Sequence, residues 1–328
     1  MTKFDVIGIG NAVVDVISQC DDAFLGREGI EKGVMQLIEQ DRGVALYQAM
    51  ENRTQMSGGS VANTIAGIGA LGLKTGFIGR VSDDELGHFY AAGMQDAGTD
   101  FVNAPVKDGA LPTSRSMIFV TPDGERSMNT YLGISTELGP EDVDDAVAGD
   151  ATLLFLEGYL FDKDRGKAAF QAAARACRGN GGRAGISLSD PFCVDRHRDD
   201  FRKLARDLDV VLGNEEEWLS LYQTDDLGAA LEQAASESGL IVCTRSGHDV
   251  VIAEADNTVT VPVKSVKPVD TTGAGDQFAA GFLYGLATGT SLEVAGQMGC
   301  VAAAEVIGHV GARPEADVMA LFREKGLV

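Results

Sequence analysis

Short apolar runs alternate with stretches of helical length and pattern along most of the chain. The apolar runs predict strands at Asp5–Ile9, Thr75–Ile78, Leu153–Leu156, Ala184–Ser189, Val210–Leu212, Leu240–Thr244 and Val250–Ala253. The stretches between them predict helices at Val61–Leu71, Asp84–Ala97, Arg165–Arg178, Ala229–Ser238 and Ala274–Ala287. This order is typical of a parallel sheet that is covered by helices on both faces, and it predicts an α/β fold.

Two segments depart from this alternation and predict a second, smaller unit. The stretch from Val14 to about Gln40 has an irregular pattern. Ser114–Val120 and Arg126–Tyr131 have the pattern of two strands around the turn Thr121-Pro122-Asp123-Gly124, which is typical of a hairpin. Because a hairpin does not fit a parallel series, we predict a β-rich lid formed by residues from about 14 to 40 and 109 to 135. Such a lid would close over a substrate; a surface excursion without a role is the alternative.

Composition and charge narrow the classes of partner. The chain has 328 residues, of which 45% are hydrophobic, enough for a sizeable core. Its formal net charge of −22 disfavours binding to nucleic acid or anionic membranes, although a local pocket of backbone N–H groups can still bind a phosphate. No apolar run reaches the roughly 18 residues of a membrane span, and the first residues lack the pattern of a secretory signal, so we expect a cytoplasmic protein.

The cysteines do not indicate a metal site. They are dispersed, without a C-x-x-C pair or a histidine at metal-ligand spacing, which disfavours zinc and predicts packing in a reducing compartment. The five are Cys20, Cys177, Cys193, Cys243 and Cys300.

The segment Asp270–Asp276 carries the strongest chemical signal. Gly273-Ala274-Gly275 can turn sharply, and the apolar residues after Asp276 are compatible with a buried helix. The start of such a helix presents free N–H groups and the positive end of its dipole, which suits an anion. Asp276 could accept a proton from an attacking hydroxyl while these N–H groups hold a transferring phosphoryl group. The alternative is that Asp276 only stabilises the start of the helix.

A second glycine cluster lies in Ser57–Thr64. Gly58 and Gly59 permit close approach of the backbone to a ligand, or a hinge. Ser60 and Asn63 lie three positions apart, so they share a helix face and can donate to one ligand. The alternative for Ser60 is an ordinary helix cap.

Polar residues also follow several predicted strands. Examples are Asn214 to Glu217, Arg245-Ser246-Gly247 and Asp190-Pro191. In a parallel sheet these strand ends line one crevice, where carboxylate and amide oxygens suit Mg²⁺ held partly through water. The run of glutamates is also compatible with a solvated start of a helix.

Two common nucleotide motifs are missing. Gly8-Ile9-Gly10-Asn11 follows the first predicted strand but lacks the third glycine of a dinucleotide fingerprint. No P-loop sequence is present either, so neither a Rossmann dehydrogenase nor a P-loop NTPase is expected.

Taken together, Ser57–Thr64 and Asp270–Asp276 resemble the two signatures of the ribokinase-like (PfkB) family of carbohydrate and nucleoside kinases, and the resemblance spans nearly the whole chain. Within the family the sequence is most similar to adenosine kinases. The resemblance implies one domain over residues 1–328, with a ribokinase-like three-layer αβα sandwich, a mostly parallel central sheet and the small lid. It implies transfer of the ATP γ-phosphoryl group to a hydroxyl, with the 5′-hydroxyl of adenosine as the leading acceptor. The alternatives are a free sugar, a sugar phosphate or another purine nucleoside, or a catalytically silent nucleoside-binding sensor.

The resemblance also implies roles for individual residues. The catalytic set would be Asp276, with Gly273, Ala274, Gly275 and Arg126. The acceptor would contact Asn11, Asp15, Gly58, Gly59, Ser60 and Asn63. ATP would contact Asn214, Thr244, Gly247, Gly275 and Cys300. Mg²⁺ would be held through water by Asn214 and Glu217, and a monovalent cation such as K⁺ by Asp270 and Thr272 with carbonyls near Val306 and Gly311. Relatives occur as monomers and as dimers sealed through the lid, so both states remain open.

Three segments differ from the pattern of adenosine kinases. Asp190 replaces an alanine in Ser187–Phe192, which otherwise resembles their Asn-Leu-Ser-Ala-Pro-Phe motif. Arg245-Ser246 replaces an apolar-Gly pair in the ATP loop. The lid sequence Ser127–Gly133 is more polar than an apolar purine clamp. The difference in the lid concerns the acceptor more than the reaction.

Overall fold

A computed structural model describes residues 4–255 and 257–328. Its strands are β1 Phe4–Ile9, β2 Val13–Gln19, β3 Met35–Leu37, β4 Thr54–Gly58, β5 Thr75–Ile78, β6 Thr99–Phe101, β7 Ser114–Val120, β8 Arg126–Tyr131, β9 Ala151–Glu157, β10 Arg183–Ser187, β11 Val210–Asn214, β12 Leu240–Arg245, β13 His248–Glu254 and β14 Asn257–Val261. Its α-helices are α1 Asp22–Glu28, α2 Gln40–Ala49, α3 Ser60–Ala70, α4 Glu85–Asp96, α5 Asp145–Ala148, α6 Asp164–Gly179, α7 Pro191–Arg196, α8 Arg198–Asp207, α9 Glu215–Tyr222, α10 Leu227–Glu237, α11 Ala274–Thr288, α12 Leu292–Val306 and α13 Val318–Glu324.

The larger of two sheets organises the molecule. Nine strands follow the order β14-β13-β12-β11-β10-β9-β1-β5-β6. The pairs from β12 through β1 to β6 are parallel, whereas β13 and β14 are antiparallel at one edge. All the strands predicted from apolar runs belong to this sheet, so the prediction of a mostly parallel α/β sheet is confirmed. The edge strands β6 and β14 were not predicted.

Successive residues of the central strands face two separate cores, and this alternation produces three layers. In β1, Val6 packs in the core that includes α3 and α11, while Ile7 packs in the core that includes α6 and α8. Phe155 and Leu156 of β9 divide in the same way. The predicted αβα sandwich is therefore confirmed.

The smaller sheet has five strands in the order β3-β8-β7-β2-β4. Strands β7 and β8 form the predicted hairpin, with Val120 opposite Arg126. The prediction of an irregular segment from Val14 to Gln40 is wrong, because β2, α1 and β3 lie there. Each of these elements has seven residues or fewer, too short for a clear periodic pattern. Strand β4 joins this sheet from outside the two segments predicted to form the lid.

The structure also bears on membrane association. Among the helices within the described ranges, none combines the length and the apolar composition needed to cross a bilayer.

Candidate active site

The site begins where β4 of the smaller sheet leads into α3. Gly59 precedes the helix with a φ of 102°, a conformation that favours glycine. A Cβ atom at this position would lie 2.3 Å from the carbonyl oxygen of Asn11, so a side chain is excluded here. Ser60 is the first residue of α3 and its hydroxyl makes no capping bond, so the alternative of Ser60 as an ordinary cap is wrong.

The start of α11 meets the start of α3. Asp276 lies in the first turn of α11, where Ser60 Oγ donates to one of its carboxylate oxygens at 2.7 Å. Asn63 Nδ2 donates to the other oxygen at 3.1 Å, and Thr64 Oγ1 donates to the Asp276 carbonyl at 3.1 Å. The two glycine clusters predicted from separate parts of the sequence therefore form one site.

The turn before α11 is fixed by close backbone packing. Gly273 has a φ of 78°, and a Cβ atom there would lie 2.6 Å from the Ala312 backbone. By contrast, a Cβ atom at Gly275 would meet nothing within 4 Å. The turn is thus packed against protein on one side and open on the other. The amide of Ala274 donates to the Thr271 carbonyl at 3.2 Å in the described conformation, and its contact with a phosphoryl group stays a prediction.

Three carboxyl groups lie together at this end of the site, of which Glu157 is buried and Asp15 and Asp276 are half-buried. Burial raises the pKa of Asp276 to about 6, against the opposing effect of its bonds from Ser60 and Asn63. Burial likewise raises the pKa of Asp15 to about 7 and that of Glu157 to about 7. A carboxyl with a pKa in this range can exchange a proton with a hydroxyl near neutral pH, as a general base requires.

Glu157 anchors the predicted acceptor residue Asn11. It accepts from the Asn11 backbone amide at 3.1 Å and from Asn11 Nδ2 at 2.8 Å, and its second oxygen accepts from the Val61 amide at 3.1 Å. Ser135 Oγ donates to Asn11 Oδ1 at 3.0 Å, so both ends of the Asn11 amide have protein partners. Glu157 was missed in the sequence, although a charged residue directly after the buried run Leu153–Leu156 is a detectable signal.

Asp15 lies close to the glycine turn from the opposite side. Its strand β2 pairs with β4, and a Cβ atom at Gly58 would lie 2.3 Å from an Asp15 carboxylate oxygen. The charges of Asp276 and Arg126 both affect its pKa, so Asp15 lies within electrostatic range of the two predicted catalytic side chains. The structure thus gathers the predicted acceptor residues around Asp276.

Arg126 connects the smaller sheet to the turn before α11. Its guanidinium forms an ion pair with Asp270 at 2.8 Å and donates to Thr272 Oγ1 at 3.1 Å. Asp270 also accepts from the amides of Thr272 at 3.0 Å and Gly311 at 2.9 Å. The two side chains predicted to hold a monovalent cation are therefore bound by an arginine and by backbone amides in this conformation.

Most of the residues predicted to bind ATP lie at the carboxyl ends of strands β11 and β12 of the large sheet. Asn214 ends β11 and Glu217 lies in the first turn of α9, where the two form a reciprocal capping box. Thr244 pairs with Asn214 across β11 and β12, and Gly247 lies in the turn after β12. Cys300 lies on α12, where the charge of Asp249 on β13 is among the causes that raise its pKa.

The comparison with protein families decides the class of this site. The family model described as pfkB family carbohydrate kinase matches residues 34–318. The chain belongs to the PfkB family. It is therefore a phosphotransferase that acts on an alcohol group, and membership of a kinase family implies ATP and a divalent metal ion in general.

Similar proteins within the PfkB family have different named substrates. An uncharacterized sugar kinase of Archaeoglobus fulgidus is 31% identical over 251 residues, which are 75% of this chain and 96% of that protein. An ATP-dependent ribose-1-phosphate kinase of Halopiger xanaduensis is 30% identical over 279 residues, 84% of this chain and 88% of that protein. A crystal structure of adenosine kinase from Sinorhizobium meliloti is 45% identical, covers 99% of this chain and 100% of its own, and has a TM-score of 0.90.

Proposed function

We propose that this chain is an ATP-dependent nucleoside kinase that phosphorylates the 5′-hydroxyl of adenosine. The observation that carries the proposal is the half-buried carboxylate of Asp276, which Ser60 and Asn63 hold in the first turn of α11. A base at the start of a helix, beside free amide groups, suits transfer of a phosphoryl group to a hydroxyl.

In the proposed mechanism, Asp276 takes the proton of the attacking hydroxyl. The amides of Gly275 and Asp276, which belong to the first turn of α11, stabilise negative charge on the phosphoryl oxygens. The open space beside Gly275 leaves room for that group. Gly273 contributes through the turn that it permits, and Ala274 through its place in that turn.

Arg126 adds positive charge beside the turn. Because it comes from β8 of the smaller sheet, it couples closure of the proposed lid to the presence of a cationic side chain near the phosphoryl group. Its pairing with Asp270 holds the guanidinium in place before a substrate binds.

ATP and Mg²⁺ would lie along the strand ends toward α9. Burial, with a smaller effect from the charges of Asp190 and Glu216, raises the pKa of Glu217 to about 7, and a divalent cation would relieve the repulsion between these carboxylates. Within the described ranges, no group of three or more His, Cys, Asp or Glu side chains could hold a metal by itself. Mg²⁺ would thus be held partly by water and by ATP phosphates, whose negative charge it would neutralise, with Asn214 and Glu217 beside it. The ATP contacts of Thr244, Gly247 and Cys300 and the K⁺ site at Asp270 and Thr272 stay predictions.

The acceptor end of the site is formed by the residues predicted to contact the acceptor, among them Asn11, Asp15, Ser60 and Asn63. Adenosine is favoured because these residues resemble nucleoside contacts of adenosine kinases, and because the chain is similar to the Sinorhizobium meliloti adenosine kinase. A second candidate is a kinase for a sugar or a sugar phosphate. It is favoured by the probable sugar kinase of Rhizobium etli CFN 42, also 45% identical with a TM-score of 0.91, and by the ribose-1-phosphate kinase of Halopiger xanaduensis.

An ADP-release assay with a panel of acceptors tests the proposal. We expect adenosine to give the highest kcat/KM among adenosine, inosine, guanosine, ribose, fructose and ribose 1-phosphate. Asp276→Asn should lower kcat by roughly 10²-fold or more, because a general base is lost. A higher kcat/KM with a sugar or a sugar phosphate would favour the second candidate. Turnover by Asp276→Asn at the wild-type rate would remove Asp276 as the base.

A further inference from the structure

Arg313 lies beside the acceptor end of the site, although no prediction from the sequence included it. It occupies the loop between α12 and α13, directly after Ala312. Gln277 Nε2 of α11 donates to the Ala312 carbonyl at 3.1 Å and to the Asn63 carbonyl at 3.2 Å. This bridge fixes the backbone next to Arg313 against both helices of the site.

The guanidinium of Arg313 has few partners for a charged group. Its Nε donates to Asn63 Oδ1 at 3.3 Å, and one terminal nitrogen lies 3.4 Å from the sulfur of Met94. No carboxylate of residues 4–255 or 257–328 forms an ion pair with it. A mostly buried guanidinium without an ion pair is costly, so a compensating role is expected. The nearby carboxyl groups whose charges act on it are those of Asp15 and Asp276.

The contact with Arg313 determines how the Asn63 amide is oriented. A guanidinium only donates hydrogen bonds, so the amide oxygen must face Arg313. The Nδ2 group of Asn63 is then directed to Asp276, where it donates at 3.1 Å. If the amide turned over, two donors would face Arg313 and a carbonyl oxygen would face a carboxylate. Arg313 therefore stabilises the one orientation that supports the charged form of Asp276.

We propose that Arg313 is a positioning residue for phosphoryl transfer, which orients Asn63 toward Asp276 and adds positive charge beside the carboxyl groups of Asp276 and Asp15. The inference rests on the proposed role of Asp276 as the base. Arg313, a side chain from near the C-terminal end of the chain, would thus offset the negative charges at the place where the acceptor binds.

The charged groups around Asp276 are consistent with this role. Asp15 on β2 and Glu157 at the end of β9 act against its ionisation, because its charge raises their pKa values in turn. Arg313 lowers the pKa of both Asp276 and Asp15. Arg126 on β8 is the other cation that lowers the pKa of Asp15. The side chains of α3 that contact Asp276 are uncharged.

The test separates charge from packing with three variants. Arg313→Gln removes the charge and keeps an N–H donor, Arg313→Lys keeps the charge, and Arg313→Met keeps the apolar stem if the glutamine variant does not fold. Arg323→Gln, at an exposed position of α13, is the matched control. The readouts are the acid limb of kcat/KM and the ¹³C titration of labelled aspartate carboxyl groups in the ligand-free protein, with Asp276 assigned from Asp276→Asn.

We expect Arg313→Gln or Arg313→Met to raise the titration midpoint of Asp276, and the acid limb, by about 1 pH unit. Arg313→Lys and Arg323→Gln should stay near the wild-type values. An unchanged Asp276 midpoint in the uncharged variants would overturn the proposal, as would a midpoint in Arg313→Lys that is raised equally. Because the titration needs no acceptor, its outcome is independent of whether adenosine is the substrate.

Discussion

At the residue scale, ionisation of Asp276 lowers the stability of the folded protein. Its pKa is raised to about 6 mainly because it is buried. Such a carboxyl contributes most to stability when it is protonated, below its ordinary pKa near 4, and this contribution is lost as the pH rises through about 6. The same residue that we propose as the base therefore lowers the free energy of unfolding under the conditions where it works.

Asp276→Asn should remove this cost. Ser60 can accept as well as donate, so the new amide can bond to Ser60 while its oxygen still accepts from Asn63. Relative to the wild type, we expect the variant to gain about 1 kcal/mol of stability between about pH 5 and about pH 8. Urea unfolding at both values measures the difference. A stability difference that does not change with pH would contradict the raised pKa.

The pH dependence of catalysis follows from the same group. A base must be deprotonated, so kcat/KM should fall as the pH is lowered through about 6, the pKa of Asp276. Asp15, with a pKa of about 7, would add to the decrease if the acceptor needs its charged form. Initial rates between about pH 5 and pH 9 locate this limb. An acid limb near pH 4 would show that Asp276 is not held as described.

At the element scale, α11 has a glycine in the left-handed conformation at each end. Gly273 precedes the helix with a φ of 78° and Gly289 follows it with a φ of 77°. Their surroundings differ, because a Cβ atom at Gly273 would clash with Ala312 whereas one at Gly289 would meet nothing within 4 Å. Gly275, inside the first turn, has open space beside it.

Alanine at these positions should separate folding from catalysis. Gly275→Ala should leave the melting temperature unchanged or higher, since alanine favours helix, but should lower kcat roughly 10²-fold by crowding the phosphoryl group. Gly289→Ala should cost about 1 kcal/mol of stability and leave kcat unchanged. Gly273→Ala should lower both the stability and kcat. Full activity in Gly275→Ala would mean that the phosphoryl group lies elsewhere.

The sequence predicted most elements of the large sheet, but it missed α8 although Phe201, Leu204 and Ala205 have helical spacing there. All nine proposed strands and all five proposed helices are present within a few residues. Helix α12 was missed because most of its residues are small and apolar, with two glycines among them, so its polar face is narrow. The alternatives for Ser60 could not be separated from the sequence, since Gly59 and Ser60 are both common before a helix and only the structure shows that the Ser60 hydroxyl makes no capping bond.

Contacts between distant segments were the hardest to predict. Ser60 and Asp276 were each recognised locally, and their meeting followed from the resemblance to a kinase family. The Gly-Ala-Arg-Pro sequence around Arg313 has no local pattern that indicates a bond to Asn63, which is 250 positions away. A side chain that acts through a neighbouring residue, as proposed for Arg313, is the hardest kind to recognise from a single sequence.

At the scale of the whole molecule, the net charge of −22 is spread over a mixed α/β fold. Self-repulsion of excess negative charge destabilises the compact state, and salt screens it. We expect the melting temperature to rise from about 10 mM to about 150 mM NaCl. Choline chloride should give a similar increase, because screening does not depend on which cation is used. A melting temperature that is insensitive to both salts would contradict this expectation.

The bond between Ser60 and Asp276 joins positions that are 216 residues apart, and this separation has a consequence during synthesis. At the usual pace of about 5–20 residues per second, the ribosome needs roughly 10 to 40 s to deliver Asp276 after Ser60 has emerged. Throughout that interval the apolar side chains of α3 that later pack on α11 are exposed to the cell. Each nascent chain therefore passes through a stage that can bind a chaperone or aggregate, and its catalytic centre is assembled among the last parts of the molecule.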